Sequence, residues 1–167
     1  AATGVKVLND ADELDFSLPG RFPLRWQRSY NSLTTREGLF GLGWATAFDS
    51  YLTLEENNAT WYDETGRELS FELPPVDRAF YSISEGIIIR RNESGDVAIA
   101  DDDGAVWRLY KPTRANPSIL RLASLSDEYG NALLTEWDEQ GRLVGLHDEP
   151  RAIDVTLCYE DERFPQR

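Results

Sequence analysis

One short pattern, an acid or amide followed three residues later by glycine, recurs along this chain and leaves room for little but hairpins. It stands at Asp63–Gly66, Asn92–Gly95, Asp101–Gly104, Asp127–Gly130 and Asp138–Gly141. An Asp opening a type I turn accepts a hydrogen bond from the backbone N–H two residues on. The glycine at the fourth position takes the left-handed conformation that closes a bulged hairpin. Two turns are framed alike, by Tyr62-Asp63-Glu64-Thr65-Gly66-Arg67-Glu68-Leu69 and by Trp137-Asp138-Glu139-Gln140-Gly141-Arg142-Leu143. In both, an aromatic ends one strand and the residues after Gly-Arg begin the next. A repeated hairpin unit predicts an array, and arrays serve as scaffolds or surfaces.

The segments between turns fit strands. Short apolar runs occupy 5–8 and 13–18, and Pro19-Gly20 marks a turn. Phe22 to Tyr30 and Phe48 to Leu54 alternate at period two, and Asn57-Asn58 turns the second back to Thr60-Trp61-Tyr62. Further strands are expected at 105–110, 132–137, 143–146 and 153–159, with a turn near Asp148-Glu149-Pro150-Arg151. Helical periodicity is weak; one helical turn is expected near 31–39, where Thr34-Thr35-Arg36-Glu37 supplies a cap. The fold class expected is all-β: antiparallel hairpins forming a curved sheet, with little helix.

Thirty acids against seventeen bases leave a net charge of −13 over 167 residues. That balance argues against a nucleic-acid partner, whose phosphates need a basic footprint, and against an anionic membrane surface. A hydrophobic content of 41%, with five tryptophans, seven tyrosines and seven phenylalanines, suffices for a core. The lone Cys158 rules out an internal disulfide. The start, Ala1-Ala2-Thr3-Gly4-Val5-Lys6, carries neither Met nor signal-peptide blocks, and reads as the interior of a longer polypeptide.

Residues that carry chemistry elsewhere have structural readings here. Asp101-Asp102-Asp103-Gly104 is a solvated turn: as an EF-hand loop it would place Ile99 first and Tyr110 twelfth, where acids are required. His147 and Cys158 are eleven residues apart with no oxyanion loop beside either, so they read as a turn-flanking histidine and a half-buried cysteine. Gly38, Gly41 and Gly43 have the wrong spacing for a dinucleotide loop and fit a tightly packed, buried bend. Trp26, Trp44, Trp61, Trp107 and Trp137 fit core and wall positions. A sugar-stacking platform on a stand-alone carbohydrate-binding β-sandwich is the alternative. No catalytic, cofactor or metal-binding residue is expected.

Together these residues resemble an Rhs/YD-repeat protein near the start of its repeat shell. The resemblance is carried by Ala2-Thr3-Gly4, Asp15-Phe16-Ser17-Leu18-Pro19-Gly20, Leu24-Arg25-Trp26-Gln27-Arg28-Ser29-Tyr30-Asn31-Ser32 and Gly38-Leu39-Phe40-Gly41-Leu42-Gly43-Trp44. The repeat motif itself is matched by Tyr62, Asp63, Gly66 and Arg67, and by Trp137, Asp138, Gly141, Arg142 and Leu143. Asp127, Gly130 and Asn131 match the spacer between units. Trp137 stands where Tyr is usual.

The resemblance implies that residues 1–112 form a shell-entrance domain, 113–118 a connecting loop and 119–160 YD-type hairpin repeats. In this family such arrays wind into a hollow β-cocoon around a C-terminal toxin, and bacterial members are commonly delivered by type VI secretion. The expected partners are accordingly the rest of the shell, the enclosed toxin and secretion spike proteins. The role implied is structural and non-enzymatic, in a protein made in the bacterial cytoplasm and secreted. Arg67 and Arg142 are expected to bridge to acids on adjacent turns.

Overall fold

A computed structural model describes residues 46–148 and 154–158 in full; outside these, only the backbone pairing of the strand segments named here is described. The leading segments are β1 (Val7–Leu8), β2 (Leu14–Leu18), β3 (Leu24–Gln27), β4 (Ser29–Asn31), β5 (Glu37–Gly38), β6 (Gly41–Leu42) and β7 (Trp44–Ala45). They form short antiparallel ladders: β1–β4–β7, β2–β3 and β5–β6. Asn31, Glu37 and Gly38 are thus strand residues rather than part of a helical turn; the remainder of 32–36, and the side chains of the glycine-rich bend and of Trp26 and Trp44, lie outside the described residues.

One antiparallel sheet dominates the chain. Its strands are β8 (Tyr51–Glu55), β9 (Asn58–Tyr62), β10 (Glu68–Glu72), β11 (Ala79–Ser82), β12 (Ile87–Arg91), β13 (Val97–Asp101), β14 (Val106–Pro112), β15 (Ile119–Asp127), β16 (Ala132–Trp137), β17 (Leu143–Asp148) and β18 (Asp154–Thr156). A separate pair, β19 (Tyr159–Asp161) and β20 (Phe164–Pro165), follows. The all-β expectation holds. Helical backbone among the described residues is confined to a 3-10 turn at Ala47–Asp49, inside the run expected to be strand from Phe48. The local cause is a capping box: Thr46 Oγ1 accepts from Phe48 N, while the Asp49 carboxylate accepts from Thr46 N.

The main path runs β10-β9-β8-β15-β14-β13-β12-β11, with β16, β17 and β18 branching from β15. Alternate residues of its strands point to one side and are buried there: Leu52, Trp61, Ile87, Ile89, Val97, Ile99, Tyr110, Leu120, Leu122, Leu133, Leu143 and Leu146. A single flat sheet cannot remove its own face from water, so burial on this scale requires it to curl. Contacts across the interior confirm the curl. Trp61 Nε1 on β9 donates to the Tyr110 hydroxyl on β14 at 2.9 Å, although β8 and β15 lie between them in the sheet. Arg108 on β14 pairs with Glu64 beyond β9 at 2.8 Å, and Arg67, just before β10, reaches Glu85 between β11 and β12 at 3.4 Å. The last contact joins the two ends of the path.

The centre of the curl is a polar chain. Ser50 Oγ donates to Ala47 O at 2.8 Å, so the Tyr110 hydroxyl, 2.8 Å away, donates its own proton to Ser50 while accepting from Trp61. Burial pushes the Tyr110 phenol far above its ordinary value, keeping it protonated. Tyr110→Phe removes the acceptor and leaves the buried Trp61 N–H unpaired, which costs about 1–3 kcal/mol. Urea unfolding of the two proteins is expected to show that difference in midpoint with an unchanged slope.

Candidate functional site

Four of the five predicted turns share one construction. In each, five residues separate the last ladder pair: Tyr62↔Glu68, Arg91↔Val97, Ser126↔Ala132 and Trp137↔Leu143. The fourth-position glycine donates back to the first residue, at 3.1 Å for Gly66 to Asp63, 3.2 Å for Gly95 to Asn92, 3.4 Å for Gly130 to Asp127 and 3.1 Å for Gly141 to Asp138. All four glycines have positive φ. This is the bulged hairpin read from the sequence.

The side chains add a clamp between the first and fifth positions. Asp63 Oδ1 accepts from the backbone N of Thr65 and Arg67, and Oδ2 accepts from Arg67 Nε at 3.1 Å. Asp138 does the same with Arg142, whose Nε lies 2.7 Å from Oδ2. Asn131 Nδ2 plays the part of the arginine toward Asp127, at 2.9 Å. At Asn92 and Asp96 the pair is reversed, the amide first and the acid fifth, with the 3.1 Å bond kept. Asp101–Gly104 has Ala105 in the fifth position and instead caps itself through Asp103 Oδ1, which accepts from Ala105 N. The motif Arg therefore acts inside its own turn. Arg67 also bridges to an acid on another turn, Glu85 at 3.4 Å, as expected; the clamp inside each motif's own turn was not expected.

The two framed repeats present opposite faces. Tyr62 lies off the core and stacks on Tyr51, centroids 4.6 Å apart, while its neighbour Trp61 is buried. Trp137, one position before its own Asp, packs on the core opposite the buried Leu143. The turn thus fixes register but not which face is inward; the choice is made by packing.

Trp137 marks the place where the sheet forks. The β14–β15 register shifts at Leu109/Tyr110, leaving Ala123 extra on β15. Before that bulge β15 pairs with β8, through Ile119–Arg121; after it, β15 pairs with β16, through Ser124–Ser126. Where β16 leaves the ladder, its side chains take over the bonding. Thr135 Oγ1 donates to Leu122 O at 2.6 Å, and Trp137 Nε1 donates to the same carbonyl at 3.0 Å. The Arg121 guanidinium lies over the Trp137 ring, 5.4 Å from its centroid, against the Gly141 backbone. The role of Trp137 as a wedge was not legible in the sequence, because it depends on a bulge in another strand.

The connecting loop 113–118 is a hairpin within this sheet, with Thr113 N donating to Ile119 O. His147 lies near the end of β17, in the last ladder pair (with Asp154) before the connection to β18, and its Nδ1 is 3.0 Å from Glu136 Oε1. Cys158 is exposed, not half-buried, and lies two residues past Thr156, the partner of Gly145. At about 3.3 Å per residue, this register separates it from His147 by about 13 Å along the strands, too far for a dyad. Among the described residues no group of three His, Cys, Asp or Glu stands together, and no helix is long and apolar enough to cross a membrane. Of the described tryptophans, Trp61 is buried, Trp137 is wedged at the fork, and Trp107 lies under Arg90 at 4.7 Å; they form no common platform.

Two expectations follow from the clamps. A Cβ at Gly141 would collide with the Arg121 guanidinium at a backbone angle of φ +81, whereas one at Gly104 meets nothing within 4 Å. Gly141→Val should lower stability by about 1 kcal/mol or more, and by more than Gly104→Ala, in paired thermal melts. Asn131 hydrogen bonding holds the Asp127 carboxyl below its usual range. Burial pushes Asp138 up, but the backbone and guanidinium of Arg142 outweigh it and hold that carboxyl low as well. Depressed carboxylates stabilise the fold above their unfolded value near 4, and this contribution is lost as pH falls through the folded values. Asp138→Asn should therefore flatten the acid limb of a plot of Tm against pH below about pH 4.

A family model described as a domain of unknown function (DUF6531) matches residues 1–71. Over 177 aligned residues the chain is 28% identical to the double-stranded DNA deaminase toxin A of Burkholderia cenocepacia (strain H111). That match takes in 96% of this chain but 12% of the relative, so the chain is similar to one small part of a bacterial toxin polypeptide.

Proposed function

We propose that this chain is a wall segment of an Rhs-type polymorphic toxin, a structural part of a shell that encloses a C-terminal toxin for delivery. The observation that carries the reading is the fork in β15. A curled sheet that closed on itself would end there; instead β15 gives the second half of that edge to β16, two clamped turns carry the sheet on to β17, and β18 pairs with β17. Each further hairpin needs only the same five-residue turn and an apolar partner strand, which is how a wall is extended without limit.

The share of each protein in the alignment supports the same reading: nearly all of this chain matches 12% of a toxin polypeptide. The toxic chemistry itself belongs elsewhere in such a polypeptide. A zinc-dependent nucleobase deaminase holds its metal with three His or Cys ligands, and this chain has one of each. Its partners are accordingly the remaining wall strands, the enclosed toxin and the proteins of a type VI or similar secretion route.

The test is protease protection in the full-length native polypeptide that carries this segment. The C-terminal part is expected to resist protease until denaturant opens the particle. A C-terminal part digested freely under native conditions would sink the shell reading.

A further inference from the structure

Beside the fork, a cleft of about 490 Å³ opens between the loop 113–118 and the Asp138–Gly141 turn. Every residue on its walls belongs to the fully described part of the chain. Lys111, Pro112, Arg114 and Ala115 line it, together with Arg121 where that side chain lies over Trp137. Three cations gather here in a chain of net charge −13. Lys111 and Arg121 are direct cross-strand partners on β14 and β15, so their side chains leave the same face side by side. Like charges in that position repel and weaken a sheet. Among the described residues no carboxylate forms an ion pair with Lys111, Arg114 or Arg121. Of the two acids at the cleft, Asp138 is held by Arg142 and Glu139 is exposed on the turn. The Trp137 ring offers Arg121 a π face but no hydrogen-bond acceptor, so the in-plane donors of the guanidinium remain for a ligand.

We propose that this cleft binds a small phosphate monoester, its phosphate held between Lys111 and Arg121 and met by Arg114 from the loop. A monoester carries about −1.5 to −2 charges at neutral pH, enough to answer both members of the repelling pair. A single carboxylate answers only one of them. Lysine supplies a point charge and arginine a fork of donors, and both suit phosphate oxygens. The organic body lies against Pro112, Ala115 and Trp137, in a cleft with the volume of a small-molecule site. The site requires only the β14–β15 pairing and the fork, and stands whether or not the chain is a shell wall.

The experiment is isothermal titration calorimetry on the full-length native polypeptide, with adenosine monophosphate, glucose 6-phosphate and inorganic phosphate as probes. Lys111→Gln and, separately, Arg121→Gln polypeptides are titrated in the same way. Lys111 is exposed, and its replacement removes one of two repelling charges, so this variant keeps its fold even where Arg121→Gln does not. At least one ester is expected to bind more tightly than inorganic phosphate, and to lose about tenfold or more in affinity in the Lys111→Gln protein. Which ester binds tells a nucleoside body from a sugar body. Equal affinity in the parent and Lys111→Gln polypeptides, or no binding of any probe at millimolar concentration, would overturn the site. Inorganic phosphate binding as tightly as both esters would overturn the organic ligand.

Discussion

A β-strand has two edges, and β15 has three neighbours; the bulge that reconciles these facts organises everything around it. By inserting Ala123, the chain bends β15 so that its first half serves β8 and its second half serves β16, while β14 runs along the opposite edge. The cost of the bend is a pair of carbonyls pulled away from a regular ladder. Thr135 and Trp137 meet that cost from the side, satisfying Leu122 O and Ala123 O with side-chain donors. Without those donors the fork would bury unpaired carbonyls, which proteins rarely tolerate.

On one side of the fork the sheet curls around a core, and the polar chain Ser50–Tyr110–Trp61 ties opposite walls together inside it. Arg108 lies over the Trp61 ring at 5.8 Å and pairs with Glu64, so a cation crosses the same space with its charge answered. On the other side the sheet runs on as clamped hairpins. The same turn serves both sides of the fork, and Leu133, Leu143 and Leu146 of the continuing hairpins are buried in the same core as the curl.

The clamp explains how a strongly acidic chain keeps its turns ordered. An Asp at the first position has its carboxylate filled by backbone N–H groups and by the Arg or Asn at the fifth. The acids at these turns are therefore structural acceptors, and their negative charge is partly met locally rather than by distant partners. The Asn92–Asp96 reversal shows that the geometry, one donor and one acceptor across five residues, matters more than which residue supplies which.

Hairpins, their five-residue turns and the all-β class were legible in the sequence, because an Asp or Asn, a left-handed Gly and a fifth-position partner act within one turn and need nothing beyond it. The bridge from Arg67 to Glu85 was anticipated, but the closer pairing of Arg67 and Arg142 with the carboxylate that starts their own turn was not. The facing of Tyr62 and Trp137, the fork at Ala123 and the cleft beside it were decided only in the tertiary structure. Each depends on which strand lies alongside which, and antiparallel pairing between residues as far apart as Thr53 and Ile119 leaves no periodic trace in the chain.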